Sequence, residues 1–266
     1  MKPLYLALGL LGLLFTACQS SDSSDHPVAI EKKAPANDYV AALEKAHQVD
    51  RFHQKEVVSF DIDIKFGGKP YGSTHMSSKT NSGKIRMTRK ADKAELLFDG
   101  HDVWLHPDTA DWGRGRFDIF TWQYFFQAPY KLSDPGTKWE LLGMDSLNGQ
   151  AYELAKLSFE GGTGDAPDDW YILFKDPQTN LLHAMAYIVT YSRSQEEAEK
   201  SPSLILYSNY KDVDGIPVAQ DWTFYKWNRE EGITGEARGH GQVRQIQFEK
   251  ELAATFDMPG GKLVEK

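Results

Sequence analysis

Alternation of apolar and polar residues over most of the chain is the feature that most restricts its fold. Within residues 57–66, VVSFDIDIKF, every second side chain from Val58 onwards is apolar. These positions are Val58, Phe60, Ile62, Ile64 and Phe66. A period of two places such residues on one face of a strand, against a core, and leaves the other face in water. Similar segments recur along the chain and end with a strand pair within residues 232–248. We therefore predict a mainly β (α+β) protein with about ten to eleven strands in a large antiparallel sheet, curled or closed.

One amphipathic helix is predicted before the strands, in residues 37–50 (NDYVAALEKAHQVD). Tyr39, Val40 and Leu43 recur there at helical spacing. No linker and no internal repeat follows the helix, so residues 37–266 are expected to form a single domain.

The stretch FDIFTWQYFFQAPYKL, residues 117–132, interrupts the alternation with an aromatic cluster. Its aromatic residues are Phe117, Phe120, Trp122, Tyr124, Phe125, Phe126 and Tyr130. On a helical wheel one stripe holds Phe117, Phe120 and Tyr124. A second, roughly opposite stripe holds Ile119, Trp122 and Phe126. A strand would instead gather Phe120, Trp122, Tyr124 and Phe126 on one face, and periodicity alone leaves both structures open. As a helix apolar on two sides, the stretch is either a lid over a hydrophobic cavity or part of a plain packed core.

The N-terminus indicates where the protein is located. The run from Leu4 to Phe15, preceded by Lys2, is too short to span a bilayer and is typical of a signal peptide, predicted for residues 1–17. The residues before Cys18, the single cysteine of the chain, resemble the lipobox of bacterial lipoproteins. We therefore expect Cys18 to be lipidated and residues 18–36, rich in Ser, Asp, Ala and Pro, to form a disordered tether. The alternative is a soluble secreted protein whose cysteine is incidental.

Composition and motifs exclude several classes of function. The formal net charge of −8 and the lack of a basic cluster argue against nucleic-acid binding. The chain carries no phosphate-loop or nucleophile-elbow pattern. The densest group of metal-capable residues matches no standard zinc spacing, and hairpin turns commonly carry these residue types: Asp99, His101, Asp102, His106 and Asp108. Asp61 and Asp63 share a strand face, which water contact explains more simply than acid–base catalysis. We predict no enzyme, no cofactor and no metal.

Seven tryptophans raise a different possibility, a platform that binds sugar rings or a protein. Trp222 and Phe224 are two residues apart and therefore share one strand face. If that face is the concave one, lipid binding is favoured. Exposed, coplanar tryptophans would favour glycans.

Three further patterns resemble the LolA/LolB family, the lipoprotein carrier and receptor of the bacterial outer membrane. They are DWYILFKDPQTNLLHAMAYIVTY, SNYKDVDGIPVAQDWTFYKW and the tail FDMPGGKLVEK. The resemblance covers roughly residues 37–262 as architecture and turn pattern. It implies an open, strongly curved, incomplete antiparallel barrel with an apolar concave face, helices over the open face, and acyl chains as ligands. No arginine aligns with the carrier's lid-latching arginine, and no loop matches the receptor's protruding leucine. Generic lipid binding is therefore a safer expectation than lipoprotein transfer.

Together these observations predict a monomeric, non-catalytic outer membrane lipoprotein of the bacterial envelope, held to the membrane by a lipid anchor at Cys18. It would bind a hydrophobic small molecule, a lipid or acyl chain, between the sheet and the aromatic segment. The alternative is a surface-displayed glycan- or protein-binding lipoprotein with a plain core. The candidate ligand-binding residues are Phe60, Ile62 and Ile64 on the concave face and Phe117, Phe120, Trp122, Tyr124, Phe125 and Phe126 in the lid.

Overall fold

The computed structural model describes residues 36–258 and 260–265, and these residues form one antiparallel sheet of 13 strands with a few helices. The helices are α1 (Ala36–His47), α2 (Val49–His53), α3 (Gly115–Gln127) and α4 (Gln195–Glu199), and a 3-10 turn, Ala128–Tyr130, extends α3. The first seven strands are β1 (Val57–Phe66), β2 (Lys69–Lys79), β3 (Ile85–Arg89), β4 (Glu95–Phe98), β5 (Val103–His106), β6 (Thr137–Leu147) and β7 (Gln150–Phe159). The others are β8 (Tyr171–Lys175), β9 (Leu182–Tyr187), β10 (Ser203–Val213), β11 (Ile216–Asn228), β12 (Gly232–Glu249) and β13 (Lys262–Leu263). The predicted signal peptide, Cys18 and residues 19–35 of the tether lie outside the described residues, whereas Ala36 begins α1.

The strand order shows why α3 crosses the sheet. The order is β13-β5-β4-β3-β2-β1-β12-β11-β10-β9-β8-β7-β6, so β5 lies next to one edge strand and β6 is the other edge. The chain passes from β5 to β6 through α3, which therefore connects the two ends of the sheet across one of its faces.

Contacts of α3 require the sheet to be strongly curved. Phe120 contacts Phe98 of β4, with ring centroids 5.0 Å apart, and Tyr124 contacts Tyr171 of β8 at 4.9 Å. In a flat sheet, eight strand spacings would separate β4 and β8 by about 38 Å. Phe120 and Tyr124 are about one helical turn apart, a rise of only ~6 Å. Both contacts are possible only if the sheet wraps around the helix. The predicted open, curved half-barrel with an aromatic helix over its open face is confirmed.

Two details of the prediction were wrong. The N-terminal helix breaks at Gln48, whose φ of 57° is left-handed, so that α1 and α2 are separate helices. Residues 232–249 form one long strand rather than a pair, because Gly239 and Gly241 lie inside β12 and make no turn. A Cβ atom on Gly239 would lie 2.3 Å from the Phe66 ring, so glycine here makes room for a packed aromatic ring. Two strands are not predicted by alternation alone: β13 is too short, and β2 contains glycine and proline.

The sheet also buries part of its outer face. All five residues of β8 are buried, so its side chains pack on both sides. Ile172 and Phe174 belong to a second apolar cluster with Trp227, apart from the main core. Arg229, in the β11–β12 turn, forms an ion pair of 3.4 Å with Asp145 of β6. Within residues 36–258 and 260–265, no helix combines the length and apolar character that a membrane-crossing helix requires.

Candidate ligand-binding cavity

One stripe of α3 packs on the concave face of the sheet. The Phe126 ring stacks on Phe60 of β1 with centroids 3.9 Å apart, and Trp122 meets Phe224 of β11 edge-on at 6.2 Å. Ile119, Trp122 and Phe126 are all buried. This stripe is therefore core, in contact with the central strands.

The opposite stripe of α3 borders a cavity of about 540 Å³. Phe117, Phe120, Thr121 and Tyr124 line it from the helix, and Phe125 contributes from beside them. From the sheet the cavity is lined by Ile85, Phe98, Phe159, Tyr171 and Tyr187. Further parts of its wall come from residues of the loops 131–136, 163–169 and 188–191 and from Thr137 at the start of β6. A volume of this size lies within the ~300–1,000 Å³ typical of small-molecule sites. Nine of the lining residues are phenylalanine or tyrosine.

Polar side chains fasten the middle and end of α3 to the β2–β3 hairpin. Gln123 donates from Nε2 to the Ser82 hydroxyl at 2.7 Å and to Gln127 Oε1 at 2.8 Å. Gln127 donates to the Ser78 hydroxyl at 3.3 Å. Both glutamines are buried, so these bonds satisfy groups that would otherwise be costly to bury.

A second polar contact fastens the start of α3. The Asp118 carboxylate accepts hydrogen bonds from the Tyr71 hydroxyl at 2.7 Å and from Trp112 Nε1 at 3.0 Å. Burial raises the pKa of Asp118 despite these donors, and it also raises the pKa of Tyr71. The position of α3 is thus set by hydrogen bonds as well as by apolar packing.

Two ion pairs line the cavity. Arg116 donates to Asp165, with 2.7 Å between Nη2 and Oδ1, and Lys131 pairs with Asp134. All four residues line the cavity, as does the exposed His101. The positive charges of Arg116 and Lys131 are therefore each matched by a carboxylate.

The residues predicted as one site divide into two groups in the structure. Phe117, Phe120, Tyr124 and Phe125 line the cavity. Two predicted lid residues and the three strand residues lie instead in the main buried core, where Phe126 stacks on Phe60: Trp122, Phe126, Phe60, Ile62 and Ile64. Cys18 lies outside the described residues.

The tryptophans and the turn at Asp99 have structural roles. All seven tryptophans belong to the described part of the chain, and each of them is buried or half-buried. Trp222 and Phe224 point toward α3, with Phe224 6.1 Å from Phe125. Asp99 accepts bonds from the backbone N–H groups of His101 and Asp102, so it orders the turn. No group of three or more metal-capable side chains occurs among residues 36–258 and 260–265.

Comparison with solved structures identifies the fold. The chain is similar to a LolA superfamily protein from Nitrosomonas europaea with a TM-score of 0.53 and 12% identity, over 82% of this chain and 96% of that one. The chain has a LolA-like fold. It is also similar to a DUF1329 family protein from Desulfovibrio piger, with a TM-score of 0.53 and 15% identity over 84% of this chain and 97% of that one. No family model matches the sequence, and no curated protein matches it. The resemblance drawn from the turn patterns is thus confirmed for the LolA-like fold.

Sequence reasoning missed the part of the cavity wall that comes from distant strands and loops. Tyr171, Asp169 and Arg116 line the cavity but belong to segments that gave only strand or loop signals. Their contribution depends on how the sheet curls around α3. No local pattern in the sequence reports that curvature.

Proposed function

We propose that the protein is an envelope lipoprotein that binds a lipid or acyl chain, without chemistry, in the cavity beside α3. The observation that carries this proposal is the cavity itself: about 540 Å³, with a wall rich in phenylalanine and tyrosine. Water forms few hydrogen bonds with aromatic side chains, whereas an apolar chain that fills the cavity removes their surface from water. The LolA-like fold agrees with the resemblance in the sequence, which implies acyl chains as ligands.

The proposed ligand lies on the outer stripe of α3, not directly on the concave face. Phe60 is covered by Phe126 of the inner stripe, and Ile62 and Ile64 are buried in the same core, so α3 would have to move before a ligand could reach Phe60. The hydrogen bonds that fasten Gln123, Gln127 and Asp118 can be exchanged for bonds to water. In this proposal the existing cavity accepts the first part of the acyl chain, and helix α3 is a lid that a long acyl chain partly displaces.

The proposed location is the outer membrane. Lipidation of Cys18 would hold the protein there, with residues 19–35 as the tether and the domain acting as a monomer. Trp222 and Phe224, which point toward α3, favour lipid over glycan as the ligand class.

A cavity-filling substitution tests the binding site. Thr121 lines the cavity, so Thr121→Trp should occupy the space that a ligand needs and weaken binding of a fluorescent fatty-acid analogue by about tenfold or more. Thr109 is exposed in a loop, and Thr109→Trp makes the same change of residue away from the cavity. Unchanged binding by Thr121→Trp, in a protein that unfolds at the same denaturant concentration as the parent, would contradict the proposed site.

A further inference from the structure

Apart from the ion pairs, Asp169, Tyr124 and Tyr171 form a polar part of the cavity wall, called its polar end. Asp169, just before β8, and Tyr171, its first residue, are 9% and 8% exposed, and both line the cavity. The rings of Tyr124 and Tyr171 are 4.9 Å apart. Asp169 and both tyrosines line the same cavity. Three polar side chains therefore share a wall that is rich in phenylalanine and tyrosine.

Half of the Asp169 carboxylate is already occupied. Its Oδ1 accepts hydrogen bonds from the Thr190 backbone N–H at 2.7 Å and from the Thr190 hydroxyl at 2.8 Å. Its Oδ2 has no hydrogen-bond partner within residues 36–258 and 260–265, and the same holds for the hydroxyls of Tyr124 and Tyr171. None of these three atoms is among the fully buried unpaired side-chain atoms of the described residues, so each of them is accessible to solvent or to a ligand. A molecule bound in the cavity can supply the missing partners.

The charges around this end select against an anionic head group. Arg116 and Lys131 are paired with Asp165 and Asp134, so Asp169 carries the excess charge among the residues that line the cavity. Arg193 also acts on Asp169, but it is exposed, lies outside the cavity lining and donates to the Val189 carbonyl and the Ser201 hydroxyl. A ligand carboxylate placed beside Asp169 would be repelled in a site of low dielectric constant. A neutral group that donates to Oδ2 and accepts from a tyrosine hydroxyl satisfies both kinds of atom.

We propose that the ligand is an amphiphile with a neutral head group that both donates and accepts hydrogen bonds, a hydroxyl or an amide, held by Asp169, Tyr124 and Tyr171. Its apolar chain then runs along Phe117, Phe120 and Phe125. This inference rests on the proposed function and specifies which lipids the cavity prefers.

Three probes of equal chain length test the inference with the purified full chain in mildly alkaline buffer. A monoacylglycerol supplies hydroxyls, a primary fatty amide supplies an amide, and a free fatty acid supplies a carboxylate. Each competes with a fluorescent lipid analogue. We expect each neutral probe to bind at least about tenfold more tightly than the acid, because the ionised acid cannot donate a hydrogen bond to the Asp169 carboxylate. Which neutral probe binds better distinguishes the hydroxyl from the amide.

Substitutions at the polar end test whether its side chains cause the preference for neutral probes. Asp169→Asn keeps an oxygen for Thr190 but turns the cavity-facing acceptor into a donor and removes the charge. It should weaken monoacylglycerol binding and strengthen acid binding, each about tenfold. Asp168→Asn removes the same charge from the exposed neighbouring residue and should leave the preference unchanged. The double variant Tyr124→Phe/Tyr171→Phe should weaken both neutral probes. Tyr225→Phe, on the other face of the sheet, should not.

The outcomes separate the two proposals. Equal affinity for the three probes, or a neutral preference that Asp169→Asn leaves intact, would overturn this inference while the lipid-binding function stands. The same holds if Asp168→Asn has the effect expected of Asp169→Asn. Failure of all three probes to bind the parent protein would contradict the proposed function itself.

Discussion

The two stripes of α3 should respond differently to truncation. Phe126 is 3% exposed and stacks on Phe60 at 3.9 Å, so Phe126→Ala leaves a hole between helix and sheet. Loss of a phenylalanine from a closed core costs ~3–5 kcal/mol of unfolding free energy. Phe120 is half-buried and already borders the cavity, so Phe120→Ala creates no new closed hole. It loses part of its transfer free energy and its contact with Phe98, about 1–2 kcal/mol in total.

Urea unfolding followed by circular dichroism measures the loss of unfolding free energy in both variants. An unchanged slope of unfolding free energy against urea concentration shows that the same transition is observed. Phe126→Leu is the control, because it keeps most of the apolar volume and should cost less than Phe126→Ala. The smaller stability loss of Phe120→Ala should be accompanied by a clear change in affinity for a fluorescent lipid analogue. Equal losses for the two alanine variants would refute the assignment of one stripe to core and the other to cavity.

Three more predictions concern other parts of the chain. His47 is buried, and burial lowers its pKa from 6.5 to about 3. The unfolded state therefore binds the additional proton, and the unfolding free energy should fall as the pH decreases from about 6.5 to about 3, by up to ~4–5 kcal/mol. His47→Gln should reduce this slope in denaturation measured across that range; a slope equal to that of the exposed His240→Gln would contradict it. Gly239→Ala should lower the melting temperature through a clash with the Phe66 ring worth about 1–3 kcal/mol, whereas Gly72→Ala, with open space around its Cβ, should not. Cys18→Ser should move the protein from the membrane fraction to the soluble one or leave the signal uncleaved, and unchanged fractionation would argue against the lipid anchor.

Alternation of apolar and polar residues along the strands was sufficient to predict most of the fold. The period of two in β1 predicted that Phe60, Ile62 and Ile64 share a buried face, and they do. The turn signals that joined successive strands were sufficient to predict an antiparallel sheet between neighbours. Strands without alternation were harder to predict. Strand β12 contains Gly239 and Gly241, although glycines usually indicate turns. The rings of Phe66 and Trp222 pack against these two positions, which explains why glycine occurs inside the strand.

The aromatic segment shows the limit of reasoning from periodicity. The helical wheel predicted two stripes, and both exist, but their hydrophobicity is too similar to indicate which one meets the sheet. That choice follows from the curvature of the sheet and from Gln123 and Gln127, whose buried amides need partners on the β2–β3 hairpin. The polar end of the cavity depends in the same way on long-range placement, since Tyr124 and Tyr171 are far apart in sequence.

Native mass spectrometry of the protein, purified gently from a bacterial envelope, tests the central claim most directly. We predict an additional mass that is released on unfolding and identified as a lipid, present in the parent and in Thr109→Trp but lost in Thr121→Trp. A bound lipid that Thr121→Trp retains at full occupancy would contradict binding in the cavity beside α3. An apo mass in the parent protein, with no uptake of added lipid, would return the aromatic helix to the role of a plain packed core.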